Sequence, residues 1–293
     1  MEILLTGATG YVGSHILTAL TTAGHTVTAL VRSEESAAKV KSDKVNPIIG
    51  AVTDEAFVVE ALRRADGAIH AATPGAGSAA DFDTAMVRAV DQAYRDTGKP
   101  YVHTAGLWEY GSSPDIVEDQ PFDSPPLVAW RPAVCVQALA IPGARVTVIN
   151  SAAVYGDGGG LANLLVGAPR DSAGRLTTIG SGEQHWTGIH AVDLADVFRR
   201  VIESPTASGR FIAASGNNPT VWEATEAAAH AAGAPGVVSE TDEAARARLG
   251  ALADALLLDQ QATASKARSV LGWAPHGPSL LEELEYGSYA KQG

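Results

Sequence analysis

Residues that could do chemistry cluster first at the amino terminus. Glu2-Ile3-Leu4-Leu5 is a short apolar run, and Thr6-Gly7-Ala8-Thr9-Gly10-Tyr11-Val12-Gly13 follows it directly. A helical pattern from Ser14 to Ala23 comes next. A buried strand, a glycine turn and a helix start, in that order, make an anion site, because unpaired N–H groups and the positive dipole end face whatever lies over the turn. Gly7 permits the turn, Gly10 lets backbone approach a pyrophosphate, and Gly13 lets helix and strand pack closely. A dinucleotide is the expected ligand, held by Gly7, Thr9, Gly10, Tyr11 and Val12.

The end of the next apolar run, Val27–Val31, bears on which dinucleotide. An acidic residue there would bond ribose hydroxyls, whereas a cation suits a 2′-phosphate. The chain reads Leu30-Val31-Arg32-Ser33 with no carboxylate at the spot, so Arg32 and Ser33 favour NADP(H) over NAD(H). The single cysteine, Cys135, lies in an apolar run and reads as a buried, inert thiol. The eight histidines show no metal-ligand spacing, and no metal is expected. His70 and His103 end apolar runs and read as satisfied core residues, while His185 could reach a cleft. His190 and Asp193 are placed to organise the start of a helix.

These residues need a frame. Apolar strand candidates at 2–5, 27–31, 47–49, 68–72, 101–104 and 146–149 alternate with amphipathic segments at 34–40, 54–64, 79–97 and 127–140. Short strands buried on both faces and separated by helices predict an α/β fold, a doubly wound parallel Rossmann sheet. Its ligands lie at the carboxyl ends of the strands. Beyond residue 156 the texture changes. Gly156-Asp157-Gly158-Gly159-Gly160 reads as a flexible junction, and residues 220–292 are mostly helical and alanine-rich. The division is a Rossmann domain at 1–156, completed by about 189–215, and a smaller substrate-binding cap from 157–188 and 216–293. A net charge of −12 argues against nucleic acid or anionic membrane as partners. No apolar run approaches the ~20 residues of a membrane span, so a cytoplasmic protein is the expectation.

Several blocks together resemble the extended short-chain dehydrogenase/reductase family, the NAD(P)-dependent epimerase/dehydratase-like group. They are the Thr-Gly-x-x-Gly-x-x-Gly turn, His70-Ala71-Ala72, and the block from Thr104 to Gly111. Val154-Tyr155-Gly156 and the block from Trp186 to Ala195 complete the set. The resemblance runs from Glu2 to about Gly272, and it implies that Ala71, Ala72, Thr73, Thr104, Ser151 and Val154 also touch the cofactor. The family often dimerises through the helices at 79–97 and 127–140, which implies a homodimer.

The departure from the family matters more. The family's proton-relay tyrosine and lysine, four residues apart, fall near Trp130 and Val134, and no lysine occurs between Lys99 and Lys266. Positions that usually carry the catalytic hydroxyl read Ala105 and Gly106, beside Thr104. A stand-in proton donor is therefore required. Tyr155 is expected at the nicotinamide end of the cleft, with Tyr110 on the neighbouring loop and the Arg131 guanidinium lowering a phenol's pKa. Tyr155, Thr104 and Arg131 form the expected catalytic set. Trp108, Trp130 and Trp186 are candidates for a substrate wall, and an aromatic cleft with few cations suits a small uncharged molecule better than a nucleotide sugar. The leading reading is an NADPH-dependent oxidoreductase acting on a carbonyl or activated double bond. An isomerase, dehydratase or cyclase on the same fold is the alternative, as is a non-catalytic NADP(H)-sensing regulator.

Overall fold

The computed structural model describes residues 1–74 and 78–290. Through the first half, strands and helices alternate: β1 (Glu2–Thr6), α1 (Tyr11–Thr22), β2 (Thr26–Val31), α2 (Glu34–Val40), β3 (Val45–Ile49) and α3 (Glu55–Arg64). β4 (Gly67–His70), α4 (Ala79–Tyr94), β5 (Pro100–Gly106), α5 (Arg131–Leu139) and β6 (Arg145–Ser151) follow. A 3-10 turn, Leu107–Tyr110, continues from the end of β5.

The second half adds β7 (Ala153–Gly156), β8 (Gly159–Gly160), α6 (Asn163–Val166), β9 (Leu176–Thr177), β10 (Gly188–His190), α7 (Ala191–Glu203) and β11 (Gly209–Ala213). Then come α8 (Val221–Ala231), β12 (Val237–Val238), α9 (Asp242–Leu249), α10 (Leu252–Leu256), α11 (Ser265–Leu271) and α12 (Leu280–Tyr286).

Seven strands form one sheet in the order β11-β6-β5-β4-β1-β2-β3, every pair parallel. This is the doubly wound Rossmann sheet the alternating pattern predicts, and its order reverses between β1 and β4, where such folds bind ligands. Alternation along β1 shows how one strand serves two cores. Ile3 and Leu5 pack with Ile16 and Leu20 of α1 and Phe198 and Val201 of α7. Leu4 turns to the other face, against Val58 and Leu62 of α3 and Met86 and Val90 of α4. A third core, with Leu165, Leu176, Trp186, Val221, Leu256 and Leu284, lies beneath the cap helices.

Side-chain oxygens set where several helices begin. Ser33, Asp54 and Ser78 accept from the third backbone N–H of α2, α3 and α4, and Thr220 and Ser279 form reciprocal boxes with Glu223 and Glu282. His190 caps α7 through its Nδ1, 3.3 Å from the Val192 N–H. Asp193, in the first turn of α7, takes backbone N–H groups of His276 and Gly277 at 3.0 Å each and so ties the chain's last stretch to this helix.

Four details differ from the sequence expectation. The segment 156–160 is a paired hairpin, with Tyr155 opposite Gly160 and Gly156 opposite Gly159, and not a flexible junction. Gly156, Gly158 and Gly160 adopt positive φ there, and the Tyr11 ring packs against the bend. The fourth strand stops at His70, and α5 starts at Arg131 because Pro132, inside the expected 127–140 helix, has no N–H to give the Val128 carbonyl and is tolerated only in a helix's first turn. Finally, α11 and Trp273 pack into the sheet's own core beside α7 and β11 rather than into the cap.

Candidate active site

The glycine turn leaves no space for side chains. Gly7 has φ +80°, and a Cβ there would lie 2.5 Å from the Ala71 carbonyl oxygen. A Cβ on Gly13 would lie 1.9 Å from the Gly7 oxygen. The turn is closed by the Gly10 N–H donating to the Gly7 carbonyl at 2.9 Å. Beyond it α1 begins with no side-chain cap and no acidic residue in its first turn. Its first N–H groups and its positive end are thus left for a ligand, and Thr9 and Gly10 lie exposed on that edge. This bare, close-packed cradle fits a dinucleotide pyrophosphate.

Along the same edge, Arg32 is exposed at the end of β2 and forms no ion pair among the described residues. Ser33 is occupied as the cap of α2, its oxygen 3.2 Å from the Ser36 N–H. Ala71 and Ala72 are half-buried and Thr73 exposed. Thr104 donates its hydroxyl proton to the His70 carbonyl at 2.6 Å, and Ser151 donates to the Ala105 carbonyl at 3.3 Å.

A cavity of about 340 Å³ opens at the ends of β5, β6 and β7. Tyr11, Thr104, Arg131, Ser151 and Val154 all line it, so the structure brings these five expected residues together. Trp186, Leu256 and Leu258 supply an apolar wall from the cap side, and Trp108 adds to it from the 3-10 turn after β5. Of the three tryptophans expected there, Trp130 is the exception; its ring instead stacks with the Arg131 guanidinium at 5.0 Å.

Tyr155 does not join this group. Its side chain is buried in the cap core, its hydroxyl donates to the Pro278 carbonyl at 2.9 Å, and its ring meets His190 edge-on. Burial and the charge of Asp193 push its phenol well above the ordinary value, opposite to what an acid–base tyrosine needs. Tyr110 is similarly turned away, its hydroxyl donating to the Glu118 carbonyl at 3.3 Å and its pKa raised chiefly by burial. The expected phenolate beside Arg131 is therefore absent among the described residues. His185 is held by Asp259 at 2.8 Å and does not line the cavity.

Behind the cavity runs a buried polar chain. The Thr6 hydroxyl and His70 Nδ1 lie 2.8 Å apart, and His70 Nε2 is 3.3 Å from Asp83. His103 Nε2 is 3.8 Å from the other Asp83 oxygen, and its Nδ1 is 2.8 Å from the Tyr101 hydroxyl. Burial opposes ionisation of Asp83, but the His70 hydrogen bond and nearby His70, His103 and Arg131 outweigh it and hold the carboxyl below its usual value. His103 goes the other way, lowered to about 3 by burial and by His70, against the pull of Asp83. Cys135 is buried and pushed up to about 12 by desolvation, which leaves an inert thiol.

Two polar residues escape a reading of sequence alone. Glu109, fully buried, takes the Gly106 N–H at 3.2 Å and lies 3.9 Å from Arg210. Burial raises its pKa, and the Gly106 N–H and two arginines offset that only in part. Asn150 donates to the Gly106 carbonyl at 3.1 Å while its Oδ1 has no partner. The available signal was a carboxylate and an amide at the ends of otherwise apolar runs, Leu107-Trp108-Glu109 and Val148-Ile149-Asn150.

Comparison with known proteins supports the same picture. Residues 7–107, about a third of the chain, match the NAD(P)H-binding family model. An uncharacterised protein of Schizosaccharomyces pombe, C2A9.02, is 28% identical over 99% of this chain and 100% of its own length. Among solved structures, the human epimerase family protein SDR39U1 with NADPH covers 99% of both chains at TM-score 0.75 and 19% identity. A Streptomyces venezuelae dTDP-glucose 4,6-dehydratase, DesIV, with NAD bound reaches TM-score 0.78 at 19% identity, covering 100% of this chain and 97% of that one. The first third of the chain is thus similar to NAD(P)H-binding domains and has the Rossmann sheet. The chain's whole length has the fold of the epimerase/dehydratase-like short-chain dehydrogenases/reductases. Among the described residues, no helix is long and apolar enough to cross a membrane.

Proposed function

We propose that this chain is an NADP(H)-dependent oxidoreductase that reduces a carbonyl or activated double bond in a small, largely apolar molecule. One observation carries the reading. A single cavity is lined by the dinucleotide turn through Tyr11, by the strand ends through Thr104 and Ser151, and by the cap through Trp186 and Leu256. Arg32, exposed and unpaired among the described residues, supports the phosphorylated form of the dinucleotide. So does the NADPH held by the human structural relative.

When bound, the reduced dinucleotide supplies a hydride. Arg131 then faces the substrate oxygen that gains charge, where a fixed cation in an apolar cleft stabilises it strongly. Thr104 has given its one proton to the His70 carbonyl, so toward the cavity it serves as an acceptor and orients a donor. Tyr155 and Tyr110 are bonded elsewhere, and the oxygen takes its proton from water entering the cleft. The wall holds one arginine, too few cations for the diphosphate of a nucleotide sugar.

Calorimetric titration with NADPH and NADH tests this. NADPH should bind more tightly, and Arg32→Glu should weaken it by roughly tenfold or more, as expected for a lost charge-assisted hydrogen bond, leaving NADH little changed. No measurable binding of either form would overturn the proposal. Substrate conversion without change in the absorbance of reduced nicotinamide would move it to an isomerase or dehydratase.

A further inference from the structure

Arg131 differs from most arginines of this chain. Arg64, Arg88, Arg95, Arg175, Arg199 and Arg248 each pair with a carboxylate. The Arg131 side chain forms no ion pair or hydrogen bond among the described residues; its Nε is buried without an acceptor, and its guanidinium lies over the Trp130 ring.

The carboxylates whose fields reach it are engaged elsewhere. Asp83 is taken by His70 and His103, and Glu109, also on the cavity wall, takes the Gly106 N–H on Oε1 while its Oε2 lies 3.9 Å from Arg210 without a hydrogen bond. Burial raises the Glu109 pKa above its ordinary value, against the pull of Arg131 and Arg210. Arg131 is half-buried with its Nε enclosed, so an acceptor on a ligand in the cavity completes a hydrogen-bond shell that the protein leaves open. Other polar groups on the wall are committed. Thr104 and Ser151 donate to backbone carbonyls, and Gln260 donates to Leu107 and Gly111 at 2.9 and 2.7 Å. Thr187, with a buried unpartnered hydroxyl, adds a neutral contact.

We propose that the substrate is an organic acid with an apolar body, whose carboxylate adjoins the reacting carbonyl so that the Arg131 fork takes one carboxylate oxygen and the carbonyl oxygen together. This rests on the oxidoreductase reading and names its substrate class. A planar guanidinium matches two adjacent oxygens in one plane, as a 2-oxo acid presents them. Trp108 and Trp186 face the apolar end of such a molecule. In the reaction the keto carbon gains the hydride, the C=O pair moves to oxygen and takes a proton from water, and a 2-hydroxy acid and oxidised dinucleotide result.

Calorimetry with phenylpyruvate and its neutral analogue phenylacetone tests the assignment, with and without NADPH. The acid should bind at least about tenfold more tightly than the ketone. Arg131→Gln should abolish that preference while NADPH affinity stays at its wild-type value, which also reports that the variant is folded. Arg131→Lys, keeping charge without the fork, should retain part of it. Equal binding of the two probes, survival of the preference in Arg131→Gln, or weakened NADPH binding in both variants would overturn it. If the wild type shows the Arg131-dependent preference but binds neither dinucleotide, the oxidoreductase reading fails and the acid site stands.

Discussion

Gly13 has no room for a methyl group, and Gly10 has some. The Gly13 Cβ would meet the Gly7 oxygen at 1.9 Å, whereas the one on Gly10 would meet the same oxygen at 3.3 Å, a tight contact that a shift of a few tenths of an ångström relieves. The two alanine variants should separate folding from binding. Gly13→Ala forces α1 off the turn and should cost roughly 1–3 kcal/mol, the range of an overpacked site, visible as a lower Tm. Gly10→Ala should leave Tm nearly unchanged yet weaken NADPH, because its methyl group stands where the pyrophosphate approaches. Equal Tm losses in both, with unaltered NADPH affinity, would show that the turn is structural only. At this scale the sequence is most readable, since a glycine's role follows from local geometry. Arg131 is less so: its type and place could be read, but its lack of a partner depends on where Asp83, Glu109 and Arg210 lie in space.

At the scale of elements, β7 decides the fate of Tyr155. The strand pairs in parallel with β10, Val154 opposite Ile189 and Tyr155 opposite His190. Alternation puts Val154 on the cavity wall and turns Tyr155 into the cap core. Tyr155→Phe should therefore lose the bond to Pro278 and about 1 kcal/mol of stability while leaving kcat and KM as they were. A fall in kcat with unchanged Tm would return the phenol to the chemistry. This is where a sequence reading stops. The main strands were legible because their apolar runs are continuous and local. The direction of Tyr155 was not, because a small separate sheet assembled from distant segments sets it. The glycines at 156–160 misled for a related reason. Their composition signals freedom, yet the Tyr11 hydroxyl donates to Gly156 at 2.8 Å and the Gly156 N–H to Tyr289 at 2.7 Å, pinning the hairpin from both ends of the chain.

Across the whole molecule, the polar chain behind β4 and β5 couples the fold to pH. His103 is enclosed between Tyr101, His70 and Asp83 and is kept neutral, its pKa lowered from 6.5 to about 3 by burial first and then by His70, Arg131 and Arg210, against the pull of Asp83. In the unfolded chain the same imidazole takes a proton below its ordinary value. Between those two values the unfolded state binds more protons, so stability must fall as pH falls through that window, while above 6.5 this histidine makes no difference. Asp83 acts in the same direction but lower down: its depressed carboxyl keeps its full contribution above the ordinary carboxylate value of 3.8 and loses it as pH drops toward the folded value. The upper part of the acid window therefore reports the histidine. Chemical denaturation at several pH values across it should show a steeper loss of stability for the native protein than for His103→Gln, by up to one proton's worth of slope. Superimposable slopes would mean that His103 is already charged in the folded state, its imidazolium offsetting the Asp83 carboxylate behind the cavity.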